Sequence, residues 1–172
     1  MPLSLMPDLV LDHYSQVTPE LLRRRGVTVL LSDLDNTLAP PKTREPSNEV
    51  RAWIKTLTDA GIRFAIVSNN KSSTRVEDYC ADLGVPYIGR AGKPKPGGFR
   101  RAMKLFDAVP TETAMLGDLW TTDMLGAKLC GLQMLAVVPV DGSPDFGHTI
   151  LYQMHRPWML AARRRQKKYE QI

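Results

Sequence analysis

Short apolar runs alternate along this chain with stretches of helical periodicity, and that alternation leaves very few folds open. The runs are Val27 to Leu31, Phe64 to Val67, Val85 to Ile88, Thr113 to Leu116 and Met134 to Val138. Each is too short for a helix of typical length and rich in residues that suit a strand buried on both faces. Between them lie helix signals. Thr18-Pro19-Glu20 reads as a helix start and Gly26 as its stop. Ser47 caps a stretch with Val50, Trp53, Ile54 and Leu57 on one stripe, closed by Gly61. Val76, Tyr79, Cys80 and Leu83 form a second stripe ending at Gly84, and Phe99–Phe106 and Asp123–Cys130 read as two more helices. Strands and helices in this rhythm give an α/β fold, a Rossmann-like parallel sheet with helices on both faces joined by right-handed crossovers.

In an open parallel sheet, ligands bind at the carboxyl ends of the strands, where strand order switches. Polar residues stand at four successive predicted strand ends. Asp33-Leu34-Asp35-Asn36-Thr37 follows the first run, and two carboxylates so close together call for a cation or a shared proton. Ser68-Asn69-Asn70 follows the second, offering a hydroxyl, amides and free N–H groups for an anion. Lys93-Pro94-Lys95-Pro96 follows the third and holds a cation on a stiff loop, with Lys93 and Lys95 both eligible. Gly117-Asp118, with Asp123 five residues on, follows the fourth.

In type and order these motifs resemble those of the haloacid dehalogenase superfamily of phosphohydrolases: D-x-D-x-T, a serine, K-P-x-P and G-D-x-x-x-x-D. A narrower resemblance is to the YqeG branch, related to mitochondrial phosphatidylglycerophosphate phosphatases. It is carried by D-L-D-N-T-L, I-V-S-N-N, the K-P-K-P-G-G-F loop and G-D-x-x-x-T-D. Leu119-Trp120-Thr121 departs from the residues usual there. The resemblance implies a magnesium-dependent phosphomonoester hydrolase working through an aspartyl-phosphate. Asp33 would be the nucleophile and Asp35 the general acid and base. Ser68, Lys93 and the backbone of Asn69 would bind phosphate, with Lys93 preferred over Lys95 because it occupies the first K-P-x-P position. Asp33, Asp118 and the Asp35 main-chain carbonyl would hold Mg2+, with Asp123 in support, orienting Lys93 or a metal-bound water.

Between Leu38 and the second strand there is room only for a loop and one helix, and between the second and third strands only for one helix. The expectation is a capless site, open to a substrate carried on something large. The charge pattern adds a direction. Residues 151–172 hold six basic side chains against Glu170, a net +5 equal to that of the whole chain. Composition thus sets a basic amphipathic tail over 151–172 apart from a domain over 1–150, with a short extension at 1–26, which the resemblance makes a phosphatase domain. Trp158, Met159, Leu160 and Tyr169 beside Arg163-Arg164-Arg165 and Lys167-Lys168 suit an anionic membrane surface. RNA is a weaker partner. The substrate reading is phosphatidylglycerophosphate; the alternatives are a soluble phosphosugar, nucleotide or phosphoprotein, or a non-catalytic assembly role. Met1, Leu3, Leu5, Met6, Leu9, Val10 and Leu11 are expected to pack on the sheet. No run approaches the ~20 apolar residues of a membrane span. A cytoplasmic protein, peripheral at the inner membrane face, is expected. Cys80 and Cys130 lie among apolar neighbours and read as buried hydrophobes rather than ligands or a disulfide.

Overall fold

The computed structural model describes residues 6–140 and 146–170. The turn expected at Asp141-Gly142-Ser143-Pro144 and the N-terminal Met1, Leu3 and Leu5 lie outside the described residues, as do the Lys168 and Tyr169 side chains. The strands are β1 (Leu9–Leu11), β2 (Val29–Ser32), β3 (Arg63–Val67), β4 (Tyr87–Ile88), β5 (Thr113–Gly117) and β6 (Gln133–Val137). All pair in parallel, in the order β1-β6-β5-β2-β3-β4. The helices are α1 (Pro19–Arg24), α2 (Asn48–Asp59), α3 (Ser73–Leu83), α4 (Pro96–Lys104), α5 (Leu125–Leu129) and α6 (Phe146–Glu170).

Strand residues alternate strictly between two cores, as a period of two requires. Leu30, Phe64, Ile66, Leu116 and Leu135 face Leu22, Trp53, Leu57, Val76 and Tyr79 of α1, α2 and α3. Leu31, Ala65, Val67, Met115 and Met134 face Phe99, Met103, Ala127 and Ala162 of α4, α5 and α6. Both faces of the sheet are therefore covered, which is why the strands read as unbroken apolar runs. Cys80 is part of the first core and Cys130 is half-buried; both are free thiols.

Several boundaries move for local reasons. Val27 is not in β2 because it closes α1: after left-handed Gly26, its N–H donates to the Leu22 carbonyl (2.9 Å). α4 starts three residues earlier than expected, with Pro96 in its first turn. The helix expected from Asp123 begins at Leu125, because Trp120–Met124 forms one wide π turn first. The N-terminal apolar residues go further than packing on the sheet: Leu9–Leu11 extends it as an edge strand beside β6.

α6 begins before residue 151, so the compositional boundary falls inside a helix. Its Ala162 is buried in the second core, Met159 packs on that core, and Gln166 Oε1 accepts the Val10 N–H (3.3 Å). Arg163 pairs with Asp12. The helix also leaves Ile150, Met154, Trp158 and Leu160 each close to half exposed or more, together with exposed Arg156, Arg164, Arg165 and Lys167. Among the described residues no helix is long and apolar enough to cross a membrane.

Candidate active site

β2 and β5 are neighbours, but the chain leaves them in opposite directions, to β3 on one side and β6 on the other. The loops that follow them therefore part at the carboxyl edge and leave a crevice. Asp33 is the first residue beyond β2; its N–H extends the ladder to the Leu116 carbonyl (2.9 Å), which fixes its backbone. Asp118 is likewise the first residue beyond β5, Ser68 the first beyond β3, and Lys93 lies beyond β4. A cleft of about 170 Å³ is lined by Asp33, Asp35, Asn36, Ser68, Asn69, Asn70, Lys93, Leu119 and Thr122. Three larger clefts, of about 540, 460 and 210 Å³, lie elsewhere and include none of the motif residues.

At the floor, Lys93 Nζ donates to Asp33 Oδ1 (2.6 Å) and to Asp123 Oδ1 (2.7 Å), with all three groups buried. The Lys93 backbone is bracketed by one side chain. Its N–H donates to Asn69 Oδ1 (2.7 Å), and Asn69 Nδ2 donates to its carbonyl (2.9 Å). Asn69 thus joins the loop after β3 to the K-P-K-P loop. Lys95, exposed on the far side of the cis Lys93–Pro94 bond, takes no part. Carboxylate oxygens of Asp33, Asp118 and Asp123 lie within 4.8 Å of one another. Thr37 donates to Asp118 Oδ1 at 3.4 Å, and the Leu119 N–H donates to Asp123 Oδ2 (3.2 Å).

Three buried carboxylates around one ammonium leave an excess of two negative charges if all are ionised. Burial pushes Asp33 up to about 7 against the pull of Lys93, with Asp123 and Asp35 raising it further. Asp123 is also raised, first by burial and then by Asp118, against the pull of Lys93. The Lys93 ammonium is held above its usual range, because Asp123 and Asp33 outweigh its desolvation. Such a cluster suits a hard divalent cation with oxygen ligands. Asp123 is already committed to Lys93 and Leu119, which leaves Asp33 and Asp118 better placed to hold an ion.

Gly117 is needed for space rather than for backbone freedom. A Cβ there would stand 2.5 Å from Asp123 Cγ. Gly117→Ala should displace Asp123 and with it Lys93, costing about 1–3 kcal/mol of stability as overpacking does. Thermal melts and phosphate release on the same preparation check this, and a fully active Ala variant would contradict it.

Asp35 stands apart from the floor, at the mouth of the cleft, with its side chain a quarter exposed. It sits in a tight loop where Asn36 is left-handed (φ 64°) and its N–H donates to the Ala39 carbonyl (2.8 Å). Asn70 Nδ2 donates to Asp35 Oδ2 (3.0 Å), and Arg75 Nη2 lies 2.7 Å from Oδ1. The sequence marks Asn70 only as part of an anion site and gives Arg75 no role. A usable signal existed for Arg75: an arginine in the first turn of a helix opposes the helix dipole.

The match to known proteins agrees with this geometry. Residues 7–131 fit the model of the haloacid dehalogenase-like hydrolases. The chain is similar to the "Probable phosphatase YqeG" of Bacillus subtilis, 32% identical over 93% of this chain and 92% of that one. It is similar at 25% identity to "Phosphatidylglycerophosphate phosphatase 1, chloroplastic" of Chlamydomonas reinhardtii, over 90% of this chain and 61% of that one. Among solved structures, the fold is like that of the cobalt-bound deoxy-D-mannose-octulosonate 8-phosphate phosphatase of Haemophilus influenzae. There the TM-score is 0.55 at 18% identity, over 80% of this chain and 90% of that one.

Proposed function

The chain belongs to the haloacid dehalogenase-like hydrolase family and is a phosphatase, and we propose that it hydrolyses phosphomonoesters through an aspartyl-phosphate on Asp33. The observation that carries this is the buried floor, where Lys93 bridges Asp33 and Asp123 beside Asp118 at the switch in strand order. In the first step an Asp33 oxygen attacks phosphorus, and the bond from phosphorus to the ester oxygen breaks. Asp35, at the mouth, gives its proton to the departing alkoxide. Water then attacks phosphorus, Asp35 takes a proton from it, and the acyl-phosphate bond breaks to free Asp33 and inorganic phosphate.

Lys93 holds Asp33 in line and offsets charge on the phosphoryl oxygens, and Ser68 with the Asn69 backbone receives them. Asp33, Asp118 and the Asp35 carbonyl would hold Mg2+. When bound, the ion supplies further neutralisation of the phosphoryl group. Release of phosphate from an aryl phosphate, dependent on magnesium and abolished by chelation, tests the reading. Turnover unaffected by chelation would contradict the metal.

For the substrate we propose phosphatidylglycerophosphate at an anionic membrane surface. Three things support it. The Chlamydomonas relative bears that activity in its name. Among the described residues nothing caps the site, since β2 and α2 are joined by a loop alone and β3 and β4 by α3 alone. The exposed side of α6 combines Ile150, Met154, Trp158 and Leu160 with Arg156, Arg164, Arg165 and Lys167. Trp158 also meets Trp120 of the Asp118 loop, with ring centroids 5.8 Å apart, so this surface adjoins the site.

Truncating α6 would strip Ala162 from the core, so charge substitution is the cleaner test. Changing Arg156, Arg164 and Lys167 together to Gln should weaken binding to anionic vesicles by about 1 kcal/mol per charge, roughly 100-fold in all. Hydrolysis of a soluble aryl phosphate should not change, and the difference should shrink with salt. Equal lipid hydrolysis by wild type and variant would remove the membrane role. Brisk turnover of a phosphosugar or nucleotide with none of the lipid would move the substrate to the soluble class.

A further inference from the structure

An acid/base carboxylate in a capless site faces a problem that a closed site avoids. Its two soft dihedrals are free unless neighbours fix them, and a misplacement of an ångström costs orders of magnitude in rate. In this chain both oxygens of Asp35 are engaged from the segment that follows β3. Asn70 Nδ2 donates to Oδ2 (3.0 Å), and Arg75 Nη2 stands 2.7 Å from Oδ1. Asn70 is itself held, its Oδ1 accepting the Ser72 N–H (2.9 Å) and its own N–H donating to Ser68 Oγ (3.1 Å).

Arg75 is anchored at three points. Its backbone is in the first turn of α3, next to Val76, which is fully buried in the core. Its Nε donates to the Thr43 carbonyl (2.9 Å), in the loop joining β2 to α2. Its fork reaches Asp35, and its side chain is only 11% exposed. One side chain thus ties α3, the Thr43 loop and the Asp35 loop together on the side of the cleft where a cap is missing. The contact to Oδ1 is ionic rather than a directed hydrogen bond, and Nη1, Nη2 and Oδ1 are buried without one. An ionic contact of that kind holds a carboxylate in place while letting it turn as it gives and takes a proton. A lysine would lack the fork that spans both partners.

We propose that Arg75, with Asn70, is a positioning residue that holds the Asp35 carboxylate at the mouth of the site in place of a cap. The inference rests on Asp35 being the general acid and base. Its signature is selectivity by leaving group. An alkyl phosphate needs its leaving oxygen protonated, whereas 4-nitrophenolate departs without help.

The experiment measures single-turnover release of the leaving group, together with steady-state kcat and KM, for an alkyl phosphate and 4-nitrophenyl phosphate. The proteins are wild type, Arg75→Ala, Arg75→Lys, Asn70→Ala, Asp35→Asn and Asp35→Asn/Arg75→Ala. General acid catalysis contributes roughly 10²–10⁴-fold, and loosening the acid should forfeit part of that. The expected result for Arg75→Ala is a loss of about 10- to 100-fold in the first step on the alkyl ester, little loss on the aryl ester, and KM nearly unchanged. Arg75→Lys should recover part of the loss, and Asn70→Ala should show the same selectivity. Adding Arg75→Ala to Asp35→Asn should cost nothing more on the alkyl ester, because the group being positioned is already gone.

Equal losses on both esters with a lowered melting temperature would make Arg75 merely structural and overturn the proposal. A raised KM with unchanged kcat would make it a substrate contact, with the same consequence. If Asp35→Asn is slow on the alkyl ester while Arg75→Ala and Asn70→Ala match wild type, this inference alone fails. If Asp35→Asn matches wild type there, the acid/base reading itself has failed.

Discussion

Asp33→Asn should reduce turnover of every phosphomonoester by at least about 10⁴-fold, as loss of a covalent nucleophile does. The same substitution should leave the metal-free protein more stable than wild type at neutral pH. Asp33 is buried with Asp118 and Asp123, and burial pushes it up to about 7. A group whose folded pKa lies above its unfolded value contributes stability that is complete below about pH 4. That contribution is lost as pH rises through about 7. The amide carries no charge to desolvate and keeps nearly the same volume. The gap in melting temperature between Asp33→Asn and wild type should therefore widen from pH 5 to pH 8 without magnesium. Adding magnesium should close it by stabilising the wild type. Melting curves at several pH values, with and without the ion, check this. A variant less stable than wild type at pH 8 without magnesium would mean that the Lys93 contact outweighs the crowding of carboxylates.

Lys93→Met is expected to fail in both respects, losing activity and stability together. Nζ is the shared donor to Asp33 Oδ1 and Asp123 Oδ1, and its side chain is 2% exposed. Removing one partner of a buried ion pair costs about 3–5 kcal/mol, because a charge is left buried and unopposed. Activity should fall by about 10²–10³-fold, the scale of losing one preorganised donor to the reacting group. Lys93→Met/Asp123→Asn should regain part of the stability and none of the activity. Lys95→Met, two residues along and exposed, should stay within about 0.5 kcal/mol of wild type. Chemical denaturation and phosphate release on the four proteins separate these outcomes. Comparable effects at positions 93 and 95 would mean that the loop is placed differently from what is described here.

How much of the site was legible depended on whether a residue's role is set by its place along the chain or by what crosses over to it. Asp33, Ser68, Lys93 and Asp118 were legible because each follows an apolar run, and parallel strands bring their carboxyl ends to one edge. Asp123 was legible as a partner of either Lys93 or a metal-bound water, and the fold places it on Lys93 through one oxygen, with the Leu119 N–H on the other. A glycine before Asp118 is visible in the sequence, but its necessity lies in the 2.5 Å that separates a would-be Cβ from Asp123. Asn69 suggests an anion ligand through its backbone, and only the fold shows that its side chain brackets the Lys93 backbone.

The sequence by itself determined the α/β class, the capless spacing and the four strand-end motifs. Local periodicity and turn chemistry encode all of these within short windows. Strand order, the edge strand Leu9–Leu11, the docking of α6 through Ala162 and Gln166, and the hold of Arg75 on Asp35 were decided only by the tertiary structure. The hold of Arg75 on Asp35 spans 40 positions and the Gln166 contact with Val10 spans 156, and no local pattern specifies which of several apolar or charged partners the packing will bring within reach.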